Sequence, residues 1–266
     1  MFTLAVSLSI LPVLALGAPS VEGRTVTYTS GGEKMEGYVA YQPALSSVRP
    51  GILIVHQWAG LTEYEKMRAR QLAELGYVAF CVDIYGQGVR PETAAERGKQ
   101  AGFYKGNRPL FRERLASGLK ELTMMKNVDT KQVAVIGYCF GGTGALELAR
   151  AGADVKGAVS FHGGLDNPTP ENAKNIRAKV LVLHGADDPF VPKAQVDAFK
   201  AEMKAAKKPF EFVAYPGAVH SFTHKDAGND PKTGAAYNEE ADKKSWSAML
   251  SFFNKIFKTK SIGTSR

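Results

Sequence analysis

Cysteine, aspartate and histidine stand at three points of this chain where the neighbouring residues prescribe a sharp turn or a strand end. Together they could carry out nucleophilic acyl transfer. The first point is Val135-Ile-Gly-Tyr-Cys-Phe-Gly-Gly142, a β-branched run that passes into a glycine-rich turn and then a helix of small residues. This is the elbow pattern G-x-S-x-G with Cys139 in place of serine. Gly137 and Gly141 are needed because such a turn brings strand and helix backbones too close for side chains. The helix N-terminus favours negative charge, which lowers a thiol pKa and stabilises the thiolate. The backbone N–H of Phe140 would point at a developing oxyanion. With 27 glycines and 2 cysteines in 266 residues, chance supplies about 0.02 matches, so composition does not explain the pattern. The competing reading is Cys139 as a small buried hydrophobe at a helix start.

The second point, His184-Gly-Ala-Asp-Asp-Pro-Phe-Val-Pro192, directly follows a strand pattern. Asp188 is the better placed of its two carboxylates to serve as the acid of a triad, with Asp187 as the fallback. Either could instead cap the helix that starts near Pro192. The third point is Tyr215-Pro-Gly-Ala-Val-His220-Ser-Phe222, again just past a strand. The chain order Cys139, Asp188, His220 is the nucleophile–acid–base order of this elbow class. In that arrangement His220 takes the thiol proton and Asp188 holds the imidazole in the required tautomer. His56, His162 and His184 also sit at strand ends, where bonding to loop backbone is the default. His224 is a candidate for contacting substrate. Cys81 lies inside an apolar strand pattern and reads as core. No C-x-x-C pair or Cys/His cluster has zinc-like spacing, so no metal site is expected.

These residues need a scaffold that brings strand ends together, and the sequence describes one. A hairpin over Val26–Tyr41, turning at Gly31-Gly32, precedes a continuous apolar run, Gly51–His56, of the kind buried on both faces of a sheet. Leu61, Tyr64, Leu72 and Leu75 share a helical face that Gly76 ends, and Tyr77–Asp83 is the next strand. Residues 84–106 are polar and rich in glycine and charge, which reads as a long loop with at most a short helix, long enough to act as a lid. Phe111, Leu115, Leu119, Leu122 and Met125 define another helix. Strands follow at Gln132–Gly137, Val155–Phe161, Lys179–His184 and Phe210–Tyr215, with helices at Gly141–Ala151 and Lys193–Ala206. Trp246, Met249, Leu250, Phe253 and Phe257 mark a last helix. Such alternation predicts one α/β domain over residues 18–266, with a mostly parallel sheet and helices on both faces.

The bulk composition, 44% hydrophobic and 23% charged, is that of a globular chain and excludes a disordered, collagenous or coiled-coil protein. The net charge of +8 comes from lysines and arginines scattered among acidic residues, with Lys204, Lys207 and Lys208 and Lys255, Lys258 and Lys260 the densest groups. This is a solvated basic surface; no nucleic-acid motif accompanies it. Residues 1–17 carry no charge, are apolar from Leu4 to Leu16 and end in small residues, the layout of a secretory signal peptide without its usual basic start. They predict export to a periplasm or out of the cell, with a buried N-terminal helix in a cytoplasmic protein as the alternative. The apolar stretch, interrupted by Pro12, falls short of the ~20 residues that span a bilayer, so no stable membrane insertion is expected.

Gly137-Tyr-Cys-Phe-Gly-Gly142, Asp188-Pro-Phe-Val-Pro192 and His220-Ser-Phe222 resemble the dienelactone hydrolase family, as do Val55-His-Gln-Trp-Ala-Gly-Leu61 and Gly76–Gly86. The resemblance runs from about residue 25 to 258, and the cysteine elbow is its specific element. It implies the α/β-hydrolase fold and hydrolysis of an enol-lactone or related small ester without metal or organic cofactor. It also implies a second oxyanion donor on the backbone N–H of Trp58. Where family members carry a glutamate that helps to ionise the cysteine, this chain has Gln57, which becomes a candidate substrate contact, so activation would rest on His220. Where they carry an arginine for a substrate carboxylate, it has His224, and Tyr104 would match a substrate-contacting tyrosine. The expected function is therefore cysteine-dependent hydrolysis of a small ester or lactone through a thioester acyl-enzyme. The alternatives are a thioesterase or peptidase using the same residues, and a non-hydrolytic ligand-binding or thiol-redox relative.

Overall fold

The computed structural model describes residues 20–257, so the segment read as a signal peptide, 1–17, lies outside the described residues. The chain opens with the hairpin β1 (Glu22–Ser30) and β2 (Glu33–Tyr41), whose turn falls at Gly31 and Gly32, both at positive φ. Then come β3 (Arg49–Val55), α1 (Glu63–Glu74), β4 (Val78–Val82), α2 (Ala94–Gly106), α3 (Arg108–Met124), β5 (Val128–Tyr138) and α4 (Phe140–Arg150). The second half holds β6 (Gly157–Phe161), β7 (Lys179–Gly185), α5 (Lys193–Ala205), β8 (Phe210–Tyr215) and α6 (Glu239–Ile256).

The eight strands form one sheet in the order β1-β2-β4-β3-β5-β6-β7-β8. β1 and β2 are antiparallel to each other, and β2 is antiparallel to β4. All later pairings are parallel. With helices on both faces this is the α/β-hydrolase architecture that the resemblance implies. Alternate side chains of each central strand feed two separate cores. Leu53, Val55, Val133 and Val135 pack with Phe111 and Leu115 of α3 and Phe199 of α5. Ile52, Ile54, Ala134 and Ile136 pack with Leu72 of α1 and with Met249, Phe252 and Phe253 of α6. Each fully buried Val, Leu, Ile, Met or Phe side chain contributes about 1.5–3 kcal/mol, and the two-sided burial explains why the central strands read as unbroken apolar runs.

One element departs from the sequence reading. Residues 84–106 are not a loop throughout, because Ala94–Gly106 form a helix of 13 residues. Thr93 caps it in a capping box: its Oγ1 accepts from Glu96 N–H at 3.2 Å, and Glu96 Oε2 accepts from Thr93 N–H at 3.0 Å. The helix is faint in sequence because its glycines, Gly98, Gly102 and Gly106, face open space and only Ala101 and Tyr104 are buried. That leaves too little apolar periodicity to outweigh three poor helix formers.

Candidate active site

β5 ends at Tyr138, and the chain turns into α4 through Cys139, whose backbone lies at φ 55° and ψ −116°. A positive φ at a residue with a Cβ is strained and persists only where the surroundings impose it. Here they do. A Cβ at residue 137 would run into the Gly141 carbonyl, and one at residue 141 into the carbonyls of Val55 and His56. Glycine at both positions lets β5 and α4 meet, and the forced turn lifts the Cys139 side chain above the sheet edge. α4 has no side-chain cap; the N–H groups of Gly142 and Thr143 donate to the Cys139 carbonyl, which leaves those of Phe140 and Gly141 for another acceptor.

Two loops at the same edge bring in the partners. After β7, Asp188 sits with 5% of its surface exposed, its Oδ1 accepting from Phe190 N–H at 2.8 Å. After β8, His220 places Nδ1 2.8 Å from Asp188 Oδ2 and Nε2 3.0 Å from Cys139 Sγ. Asp187, the alternative carboxylate, points elsewhere and accepts from Gly217 N–H at 2.9 Å. Neither aspartate caps α5, whose N-cap is Pro192 with no side-chain hydrogen bond.

The charges follow from this geometry. Burial pushes the Cys139 thiol up, but the His220 charge, the hydrogen bond from His220 and those from the N–H groups of Phe140 and Trp58 together hold it below its ordinary value. Burial works against a charged His220, yet the Cys139 sulfur and the Asp188 carboxylate outweigh it and push the imidazole up to about 10. The lowered thiol and the raised imidazole both shift the pair towards a thiolate facing an imidazolium. A thiol of lowered pKa, an imidazole of raised pKa and a buried carboxylate therefore meet in one place.

The profile of the dienelactone hydrolase family matches residues 35–257. The chain belongs to this family. It is a dienelactone hydrolase-like enzyme, of the class that hydrolyses carboxylic esters and lactones. The solved structure of m3DLH superposes with a TM-score of 0.86 at 36% identity, covering 91% of this chain and 100% of the other. A dienelactone hydrolase-like promiscuous phosphotriesterase from metagenomic libraries superposes at 0.84 with 37% identity, covering 89% and 99%. A protein of Saccharolobus solfataricus provisionally named carboxymethylenebutenolidase is 26% identical, over 88% of this chain and 99% of its own.

For a dienelactone hydrolase family member the surroundings of Cys139 are specific. The sulfur opens on a cavity of about 160 Å3 lined by Trp58, Ala101, Lys105, Phe140, Thr143, Phe190, Val191 and His220. A second cavity of about 440 Å3, which shares Trp58 with the first, brings together Gln57, Arg97, Ser221 and His224. Gln57 and His224 thus share a cavity, as their assignment as substrate contacts requires. Tyr104 does not join them. It is 4% exposed and lines neither cavity, packing in the core with its ring 5.5 Å from Tyr85 and 6.2 Å from Phe111. α2 reaches the cavities through Ala101, Lys105 and Arg97 instead.

Lys105 and Arg97 escaped the sequence reading because the helix that carries them did. Lys105 Nζ pairs with Asp166 at 3.0 Å, and Asp166 in turn holds Arg108 at 2.6 Å. Glu65 also escaped. Its fully buried carboxylate accepts from Gln57 N–H at 3.2 Å and from Thr62 N–H at 2.9 Å, gripping both ends of the loop that carries Trp58. The signal was present as Thr62-x-x-Glu65, a capping box at the start of α1.

Proposed function

We propose that this enzyme hydrolyses small carboxylic esters or lactones with Cys139 as nucleophile, His220 as proton carrier and Asp188 as the group that orients His220. The observation that carries the reading is the 3.0 Å approach of His220 Nε2 to the Cys139 sulfur. The backbone N–H groups of Phe140 and Trp58 help to lower the thiol pKa. The thiolate attacks the carbonyl carbon, and the C=O electron pair moves onto oxygen, where the Phe140 and Trp58 N–H groups hold it. Collapse breaks the C–O bond, and the departing alkoxide takes the proton from His220 Nε2. A thioester on Cys139 remains. Water then attacks it while His220 takes the water proton, and the second collapse releases the acid and regenerates the thiolate–imidazolium pair.

Gln57 has no carboxylate to offer, and in this reading none is needed, because the resting thiol is already in contact with its base. The small cavity at the sulfur suits a compact acyl group, with the exposed Trp58 and Phe190 rings at its mouth. The larger cavity that shares Trp58 suits the other half of the ester. Export of the mature chain, read from residues 1–17, belongs to the same proposal.

The test is hydrolysis of a small aryl ester and of a dienelactone by the purified chain, with Cys139→Ala alongside. Activity on either substrate that disappears in the variant supports the reading. Activity on the aryl ester alone keeps the hydrolase and discards the dienelactone. A folded protein inactive on both would favour a binding or thiol-redox role. The similarity to a promiscuous phosphotriesterase makes an aryl phosphotriester a useful third substrate.

A further inference from the structure

The N–H of Trp58 is useful as an oxyanion donor only while the Gln57–Trp58 peptide is turned the right way. In a trans peptide the C=O and the N–H point in opposite directions, so whatever holds the Gln57 carbonyl also aims the Trp58 N–H. The Gln57 carbonyl is held by His56, whose Nδ1 lies 2.6 Å from it. The other ring nitrogen, Nε2, lies 3.2 Å from the backbone nitrogen of Ile84. A carbonyl can only accept and a backbone N–H can only donate, so both contacts require one species: neutral imidazole with its proton on Nδ1. The ring is fully buried, packed edge-on against Tyr85 at 4.7 Å and parallel to Phe140 at 5.8 Å, so it cannot turn to another partner.

We infer that His56 is a positioning residue of the oxyanion hole: it locks the Gln57–Trp58 peptide so that the Trp58 N–H faces Cys139. The inference rests on the proposed role of Cys139 as nucleophile. Were the peptide to flip, the Gln57 carbonyl would face the thiolate, replacing a donor with a repelling dipole. Two neighbours steady the loop without fixing this peptide. Glu65 holds the preceding N–H, that of Gln57, and the Tyr85 hydroxyl donates to the following carbonyl, that of Trp58, at 3.1 Å. The Gly60 N–H also donates to the Gln57 carbonyl, at 3.2 Å, so the turn backbone shares the hold on this plane, and His56 adds the shorter, side-chain bond to it.

Two substitutions separate this from a packing role. His56→Asn keeps a side-chain N–H near the position of Nδ1 and loses the reach to Ile84. His56→Gln reaches Ile84 and is closer in size to histidine, but leaves Nδ1 unreplaced. Positioning predicts that His56→Gln lowers kcat by about 10²–10³-fold with KM little changed, the usual loss for one oxyanion donor. His56→Asn should stay within about tenfold of the parent. A second readout needs no ester hydrolysis: the pH dependence of Cys139 alkylation by iodoacetamide. Its midpoint should rise by about one unit in His56→Gln, the effect of one hydrogen bond to a charged atom, and stay put in His56→Asn. Equal losses in both variants, or a better-preserved His56→Gln, would overturn the inference. If the parent enzyme hydrolyses no ester, the proposed function fails, while the alkylation midpoints still decide whether His56 aims the Trp58 N–H.

Discussion

His220 stands between Cys139 and Asp188 with one ring nitrogen committed to each, 3.0 Å from the sulfur and 2.8 Å from the carboxylate. The carboxylate accepts, which puts a proton on Nδ1, and the second proton sits on the nitrogen facing the sulfur. The pair therefore titrates as a unit.

That coupling sets a pH dependence. Below the depressed pKa of Cys139 the sulfur is protonated and unreactive, so activity rises as pH climbs through that value. As pH passes through about 10, His220 loses the proton needed by the leaving group, and activity falls. The rate of Cys139 alkylation should follow the acid limb and remain high where a free thiol, pKa about 8.5, is mostly protonated. A midpoint at or above the free-thiol value would contradict the ion pair.

Asp188→Asn removes the acceptor for Nδ1–H and leaves the shape nearly unchanged. Its kcat should fall by about 10²–10⁴-fold, because His220 is freed to adopt the wrong tautomer. The alkylation midpoint of Cys139 should move up at the same time. Asp187→Asn, which alters only an exposed contact to Gly217, should leave both unchanged within about twofold.

The elbow makes a prediction about folding. In Gly141→Ala the new methyl meets the backbone carbonyls of Val55 and His56, which cannot swing aside as a side chain would. The expected cost is about 3 kcal/mol, the upper end for overpacking, read as a lowered midpoint in urea. Gly102→Ala, where nothing lies within 4 Å, should be neutral or stabilise α2 by up to about 1 kcal/mol.

Beneath α4, Glu147 is fully buried and faces three arginines: Arg112 at 2.9 Å, Arg150 at 3.1 Å and Arg108 at 3.4 Å. Glu147→Ala leaves those charges without their shared partner and should cost about 3–5 kcal/mol. Because the arginines that Glu147 pairs with do not line the cavity at Cys139, the folded fraction should keep its kcat. An unchanged unfolding midpoint would contradict this account of the cluster.

The sheet and the elbow were legible in the sequence for a common reason. Strands such as Ile52–Val55 are buried on both faces, and Gly137 and Gly141 answer a steric demand that only glycine meets. Asp188 and His220 could be read because parallel strands all deliver their C-terminal loops to one edge. α2 was hidden because its stability comes from a capping box and two buried side chains rather than an apolar stripe. With it went Arg97 and Lys105, and Tyr104 was assigned to the substrate although its ring belongs to the core. The contact of His56 with the Gln57 carbonyl could not be read either. A histidine at a strand end bonds to loop backbone by default, and only the structure says which peptide it holds.

The most direct test of the central claim is to modify Cys139 stepwise with iodoacetamide and plot residual ester hydrolysis against the fraction alkylated, measured by peptide mass. Cys81 is wholly buried and its thiol is pushed up by burial, so it should stay unlabelled and serve as the internal control. A nucleophilic Cys139 predicts a straight line that reaches zero activity at full modification, with substrate slowing the labelling. Substantial turnover by fully alkylated enzyme would show that another residue carries the acyl group.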